Sequence, residues 1–333
     1  MMRIYYIILC VAVSYAAVAQ ENDFTQYNLN LPSANPAFTG MTEYLDIRSG
    51  LREGWNNFSI KNSNTYLSAY TALGNANRSG RKNNSLRISD PTLLDEIKAD
   101  NKFRRRMGLG GMVSERTVGP YRSFATSANF AYHLPVSQKL NVSLGTRAGF
   151  MNQRIDFSGL QVRDDVNDTF YQSLLTANQG TQNTVTLDFG ALLYSDRFYF
   201  GASTNNLVSE RMNGEFLFDL NDGLRYRIQT GVYFPVSSEM TLSPAVVVTY
   251  AEGYDLRWLA TLRMQYKDFL IVGGGFEPDS KISILLGAKT QNLSIGYSYD
   301  VYTSSLNNFN ANTHEVVLGI SLFNKYKLAP RFW

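Results

Sequence analysis

The sequence predicts an all-β fold, a transmembrane antiparallel β-barrel of about 14 strands. Two observations favour it: long stretches in which apolar and polar residues alternate, and connections whose lengths follow the parity of the strands. In addition, no apolar run after the N-terminus approaches the roughly 20 residues of a membrane-spanning helix, so the chain is not expected to cross the membrane with helices. The longest, Phe269 to Val272, leads directly into three glycines.

Alternation is clearest between Phe124 and Phe150. Large apolar residues fall on even positions before and after a short connection at 135–138: Phe124, Phe130, Tyr132, Leu134, Leu140, Val142, Leu144 and Phe150. The odd positions are small or polar and include Arg147. Side chains of a strand alternate between its two faces, so each strand has one apolar face. Strands of this length favour a barrel with lipid outside and water inside.

Fourteen strands are predicted along the chain. Their ranges are about 43–55, 64–73, 107–117, 122–134, 139–152, 183–194, 197–207, 225–234, 240–250, 254–266, 268–276, 281–289, 292–302 and 313–323. Connections after even-numbered strands are mostly minimal, whereas those after odd-numbered strands include the long segments 156–182 and 208–224. That asymmetry is typical of bacterial outer-membrane barrels and predicts both termini on the periplasmic side.

Outside the strands, the chain divides into a leader, a lead-in and a tail. Residues 1–19 have a basic start, a short apolar run and an A-x-A site, as in a secretory signal peptide. The only cysteine, Cys10, lies within it, so no disulfide is expected after cleavage. Residues 20–42 are interpreted as a periplasmic lead-in, 43–323 as the barrel and 324–333 as a C-terminal tail.

Charged residues on the polar faces are predicted to line the lumen, because a charge on the lipid face costs about 2–4 kcal/mol near the membrane midplane. They are Arg147, Asp188, Arg225, Arg227, Arg257, Arg263 and Lys289. Such charges can tune solute selectivity or hold a plug, and the sequence leaves both interpretations open.

No enzyme site is recognisable. The two histidines, His133 and His314, lie at predicted strand ends without a nucleophile motif nearby. No His or carboxylate spacing suggests a metal site, and no cofactor is expected. The net charge of +3 is too small to predict a nucleic-acid partner.

One connection at the short-turn side is long and basic. Residues 74–106 carry nine Lys/Arg against four Asp/Glu, and 89–98 read as a short helix with Leu93, Leu94 and Ile97 on one face. The segment is predicted to lie in the periplasm, either as a docking element for a partner or as a solvated basic loop.

Three segments together resemble the PorP/SprF family of the Bacteroidetes type IX secretion system. The opening Gln26-Tyr27, Asn35-Pro36-Ala37-Phe38-Thr-Gly40, then Arg48, Arg52 and Trp55 is similar to the family's "QY…NPA(F/Y)xG…R…W". The hairpin around Tyr132-His133-Leu134 and the closing His314-Glu315-Val-Val-Leu318-Gly319 resemble its "YAYHL…LSLG" and "HE-aliphatic-x-L-G" segments. The chain departs from the family in ending its last strand on Leu322-Phe323 and in the length of 74–106.

The resemblance implies a non-enzymatic outer-membrane barrel that supports export or surface attachment of a secreted adhesin or gliding protein through that protein's C-terminal domain. It also implies contact with outer-membrane lipids and with periplasmic type IX or peptidoglycan-binding components. The opening-motif residues are expected either to shape the lead-in to the first strand or to contact a partner. A passive porin-like solute channel is the alternative, since the same barrel with an Arg-rich lumen could conduct anions.

Overall fold

The computed structural model describes residues 23–42, 44–54, 62–73, 105–137, 140–156, 172, 181–212, 223–252, 254–267, 269–290, 292–303 and 312–323. The predicted signal peptide, Trp55, the helix with Leu93, Leu94 and Ile97, and the C-terminal tail lie outside these residues. No helix within the described ranges is both long enough and apolar enough to cross a membrane.

Within the described residues, fourteen strands form the fold. They are β1 (Leu45–Gly54), β2 (Asn62–Leu73), β3 (Arg106–Val118), β4 (Tyr121–Pro135), β5 (Asn141–Ile155), β6 (Thr181–Tyr194), β7 (Phe198–Arg211), β8 (Arg225–Val232, resuming as Phe234–Pro235), β9 (Met240–Ala251), β10 (Arg257–Tyr266), β11 (Leu270–Glu277), β12 (Lys281–Lys289), β13 (Leu293–Tyr302) and β14 (Thr313–Leu322). The predicted strands are confirmed, and several run a few residues further than the alternation indicates.

The sheet closes on itself. Each strand pairs antiparallel with the next, and β14 pairs with β1 from Leu45↔Leu322 to Gly54↔Thr313. Closure removes the free edges that an open sheet would leave, so the ladder hydrogen bonds are satisfied within the barrel wall. The predicted barrel of about 14 strands is therefore confirmed.

The two faces of the wall differ in chemistry as the alternation predicts. In β4, Phe124 and Phe130 are exposed on the outside, whereas Ser123 and Asn129 are buried on the inside. The same pattern repeats around the ring, with exposed Leu67, Leu144 and Leu318 on other strands. An apolar outer face and a polar inner face are what a strand between lipid and lumen requires.

The barrel has two distinct rims. The short-turn rim carries the connections 136–140, 195–197, 236–239, 267–269 and 290–292, together with the start of β1 and the end of β14. The opposite rim carries the ends of β5, β7 and β13, as well as the brief turns 119–120 and 278–280. Consecutive strand ends therefore alternate between the two rims, as the antiparallel order requires.

The N-terminal segment, residues 23–42, lies inside the barrel, and the prediction of a periplasmic lead-in is wrong for these residues. It forms a 3-10 turn (Tyr27–Asn30), a single helical turn α1 (Leu31–Ala34) and a second 3-10 turn (Pro36–Phe38). Leu31, Ala37 and Phe38 are almost completely buried. Short helical turns satisfy part of the segment's backbone locally, and the wall supplies the rest. We call residues 23–42 the plug.

Candidate functional site: the plugged lumen

The plug runs along the lumen from one rim towards the other. At the opposite rim, the carboxylate of Glu315 accepts hydrogen bonds from the backbone nitrogens of Thr25 and Gln26, each at 2.8 Å. At the short-turn rim, the carbonyl oxygen of Thr39 lies 2.8 Å from His133 Nε2. Asp23, the first described residue, is therefore at the opposite rim.

Asn35 is the residue of the opening motif that ties the plug most directly to the wall. Its Nδ2 donates to the carbonyl oxygens of Ala191 and Ala202, both at 3.3 Å, and its Oδ1 accepts from the Ala37 nitrogen at 2.9 Å. One side chain thus caps the turn Pro36–Phe38 and links it to β6 and β7. Pro36 suits the first position of that turn because its φ is already restrained.

Glycines of the wall allow the plug backbone to approach the strands. A Cβ on Gly108 would lie 1.9 Å from the Thr39 carbonyl oxygen, and Gly40 faces Gly108 with a φ of +73°. A Cβ on Gly145 would come within 2.4 Å of the Ala37 nitrogen. These contacts are backbone to backbone, so no side-chain movement could make room for a larger residue at Gly108 or Gly145.

Side chains on several strands also donate hydrogen bonds to the backbone of the plug. Asn129 donates to the Pro32 carbonyl oxygen at 3.1 Å, Ser143 to that of Ala37 at 2.8 Å, and Ser203 to that of Ala34 at 3.2 Å. The acceptors are plug carbonyls that the short helical turns leave unpaired. Inward polar side chains of the wall therefore replace water as hydrogen-bond donors.

Arg147 and Asp188, two of the predicted lumen charges, form an ion pair of 2.5 Å between β5 and β6. Arg147 also donates to the Ser33 carbonyl oxygen at 2.6 Å. Asp188 in turn accepts from the backbone nitrogen of Asn206 at 2.7 Å, where β7 bulges and Asn206 has a φ of +57°. The Arg147–Asp188 pair therefore connects the plug to the bulge in β7.

Arg52, predicted from the opening motif, belongs to a buried cluster of charges. Its Nη1 lies 2.8 Å from Asp300 Oδ2 and 3.0 Å from Glu315 Oε2. Lys281 Nζ lies 3.1 Å from the same Asp300 oxygen and donates to Thr25 Oγ1 at 2.7 Å. Two cations and two anions therefore balance, and the plug residue Thr25 shares in their hydrogen bonds.

The remaining predicted charges also face the lumen. Arg48 pairs with Asp46 at 3.0 Å, and Arg257 hydrogen-bonds Glu277 at 2.9 Å. Arg227 pairs with the plug residue Asp23 at 2.8 Å. Arg225 and Arg263 occupy inward positions of β8 and β10, while Lys289 lies at the end of β12 beside a small cavity of about 40 Å³.

Asp23 is held in its ionised form. Partial desolvation raises the pKa of this half-exposed carboxyl, but nearby guanidinium groups, foremost that of Arg227, outweigh it and lower the pKa to about 2. Asp23 therefore stays charged at neutral pH. A larger cavity of about 200 Å³ opens beside it between the plug and β2, β3, β8 to β12.

Sequence reasoning missed several members of this site. Asp300, Glu315, Lys281 and His133 all contact the plug, yet only Glu315 and His133 stood in recognised motifs, without an assigned role. Side chains alternate between the inward and outward faces along each strand, and this alternation was the signal that could have indicated their inward position. Within the described residues, no group of three or more His, Cys, Asp or Glu side chains is arranged to hold a metal ion.

Solved structures resemble the chain at low identity. The toluene transporter TbuX of Ralstonia pickettii has a TM-score of 0.46 at 9% identity, covering 93% of this chain and 95% of that one. The outer membrane protein Omp33 of Acinetobacter baumannii has a TM-score of 0.46 at 11% identity, covering 85% and 100%. The toluene transporter TodX of Pseudomonas putida has a TM-score of 0.46 at 11% identity, covering 93% and 97%.

Family membership is established by the sequence profile. No curated protein sequence is significantly similar to the chain. The profile of the family described as type IX secretion system membrane protein PorP/SprF matches residues 16–320, which include the plug, β1 to β13 and most of β14. The chain belongs to the PorP/SprF family of type IX secretion system membrane proteins.

Proposed function

We propose that the chain is a non-enzymatic, plugged outer-membrane barrel of the type IX secretion system. In this role it supports the export or cell-surface attachment of a secreted adhesin or gliding protein through that protein's C-terminal domain. Family membership supports the secretion role, and the closed barrel with an apolar outer face supports residence in the membrane.

The observation that carries the proposal is the plug. Residues 23–42 hydrogen-bond to inward side chains of strands around the ring, from Ser68 on β2 to Glu315 on β14. A lumen filled in this way suits a barrel that presents surfaces to partners better than one that passes solutes freely. The partners we propose are outer-membrane lipids, the C-terminal domain of the secreted protein, and periplasmic type IX or peptidoglycan-binding components.

The opening-motif residues act within the barrel in this proposal. Asn35, Ala37 and Phe38 are at most 1% exposed and Pro36 is also buried, so these residues hold the plug in place. Partner contacts would then fall on the rims. We place the short-turn rim on the periplasmic side of the membrane. Residues 74–106, at that rim, are the proposed docking element.

Gene deletion tests the secretion role. We expect a deletion strain to lose a surface protein, spreading motility or both, and complementation with the wild-type gene to restore them. Quantitative proteomics of the cell surface and of the medium measures the first, and colony spreading the second. An unchanged surface proteome and normal spreading would contradict the proposal.

The passive channel remains the alternative candidate, favoured by the cavity of about 200 Å³ lined in part by Arg227, Arg257 and Lys281. Conductance in planar bilayers separates the two functions. The plugged barrel is expected to give little current in 1 M KCl, and a variant lacking residues 24–40 is expected to give more. A large steady conductance of the wild-type protein would favour the channel.

The docking element has its own test. Deleting residues 76–104 and bridging the ends with Gly-Ser should leave the barrel folded, because no described strand is lost. Docking predicts that this variant inserts normally but no longer co-purifies with periplasmic or secreted partners. Full partner recovery with normal secretion would show the segment to be dispensable.

A further inference from the structure

The cavity beside Asp23 has a composition that the proposed secretion role does not use. Its charged and polar lining includes side chains from strands near the opposite rim and from the plug, among them Asp23, Arg227, Gln229, Arg257, Glu277 and Lys281. Its apolar lining includes Phe24, Tyr66, Met112, Val247 and Leu259. We call this space, with its volume of about 200 Å³, the arginine cavity.

Positive charge dominates around Asp23. Four guanidinium groups, those of Arg116, Arg225, Arg227 and Arg257, act on its carboxylate. Arg227 pairs with Asp23, and Arg257 pairs with Glu277. An Arg fork is well suited to a carboxylate, so the chemistry beside Asp23 favours a carboxylate as ligand.

The plug itself shows what the cavity accommodates. Asp23 pairs with Arg227, while the ring of the next residue, Phe24, packs edge-on against Tyr66 with centroids 4.8 Å apart. The Asp23 side chain is 51% exposed, whereas that of Arg227 is 11% exposed. An acidic residue followed by an aromatic one therefore occupies the cavity at its edge, without closing it from solvent.

A second observation points to a polar ligand. Gln229, on the cavity wall, is completely buried, and neither its Oε1 nor its Nε2 has a hydrogen-bond partner among the described residues. A buried amide without partners is costly, about 1–3 kcal/mol, and is normally satisfied by protein, water or ligand. A peptide backbone, which offers both a donor and an acceptor, would satisfy both atoms.

We propose that the arginine cavity binds a peptide segment in which a carboxylate side chain stands next to an aromatic ring. The segment takes the place of the chain's own Asp23 and Phe24, with its carboxylate on Arg227, its ring against Tyr66 and its backbone amide on Gln229. The resident segment is then a competitor for the same contacts. This binding does not depend on a secretion role.

Fluorescence anisotropy on the purified full-length barrel tests the site. The probe is labelled acetyl-Gly-Asp-Phe-Gly-amide, whose only carboxylate is the Asp side chain. Saturable binding is expected, and a matched probe with Asn for Asp should bind about tenfold more weakly, because one charge-assisted hydrogen bond is lost. A probe with Ser for Phe should also bind more weakly.

Variants of the barrel locate the binding. Asp23→Asn should bind the Asp-Phe probe more tightly, since the competitor has lost its charge, and Arg227→Gln should bind it about tenfold more weakly. Lys289→Gln, which removes the same charge at the other rim, is the matched control and should leave the affinity unchanged. Heat-modifiable gel mobility confirms that each barrel is folded.

Three outcomes would overturn the proposal. The first is no saturable binding of the Asp-Phe probe to either the wild-type or the Asp23→Asn barrel. The second is equal affinity for the Asp and Asn probes on the wild-type protein, a comparison that needs no protein variant. The third is an equal loss of affinity in Lys289→Gln and Arg227→Gln, which would show general charge attraction.

Discussion

A methyl group on Gly108 would lie 1.9 Å from the carbonyl oxygen of Thr39. Gly108 belongs to β3 and Thr39 to the plug, so the wall and the plug are in close main-chain contact here. Both partners are backbone, and neither can turn away as a flexible side chain could. The barrel is therefore fitted to its plug at the level of main-chain atoms.

Substituting Gly108 by Ala should unseat the plug. Overpacking of a fixed contact costs about 1–3 kcal/mol, and we expect a lower free energy of unfolding in denaturant and faster proteolysis within residues 23–42. Gly274→Ala is the matched control, because a Cβ there meets only the Ser283 carbonyl oxygen at 3.5 Å. Equal stability of the two variants would contradict the fit.

Substituting Asn35 by Asp should be more damaging than its small change in shape suggests. The aspartate loses the two N–H donors to Ala191 and Ala202 and places its oxygen against their carbonyl oxygens in a fully buried position. We expect a loss of about 2–4 kcal/mol in the free energy of unfolding. Asn141→Asp, half-buried at the start of β5, should cost less than about 0.5 kcal/mol.

Removing Arg52 should leave two carboxylates buried with too little positive charge. Arg52→Met is expected to cost about 3–5 kcal/mol, because Asp300 and Glu315 remain desolvated after their partner is gone. Adding Glu315→Gln should recover part of this loss, which a double-mutant comparison in denaturant measures. Lys267→Met, which breaks an exposed pair with Glu239, should cost less than about 1 kcal/mol.

An arginine on the outer face should be tolerated according to its depth in the membrane. Leu67, 57% exposed in the middle of β2, is expected to lie in the hydrocarbon region, so Leu67→Arg should cost about 2–4 kcal/mol. Val136→Arg, in the turn after β4, should cost at most about 1 kcal/mol. Refolding into lipid vesicles gives both values, and equal costs would show that the assigned membrane face is wrong.

The alternation of Phe124 and Phe130 with Ser123 and Asn129 was enough to predict the barrel, its strands and its two faces. A period of two is a local property, and lipid on one side enforces it along every strand. The inward position of Arg147, Asp188 and Arg227 followed from the same parity. The outer-membrane proposal and the assignment of the short-turn rim to the periplasm also rest on this local pattern together with the family resemblance.

The plug could not be predicted in that way, because its contacts are distant in sequence. Thr25 meets residues 275 and 290 positions away in Asp300 and Glu315, and Asn35 meets Ala191 across 156. Its short turns have no repeating pattern that would distinguish a lumen segment from a periplasmic one. Gly108 and Gly145 on the polar face were the available hint, since an inward glycine permits a close backbone approach.

The sequence by itself therefore determined the strands of the barrel wall. Only the tertiary structure decided what fills the lumen. The wall depends on neighbours in sequence and on the difference between lipid and water. The seat of residues 23–42, the balanced charges around Arg52 and the arginine cavity depend on closure of the ring, which brings β2, β8 and β14 to face one another. Only in the closed barrel do these inward side chains find the plug as their common partner.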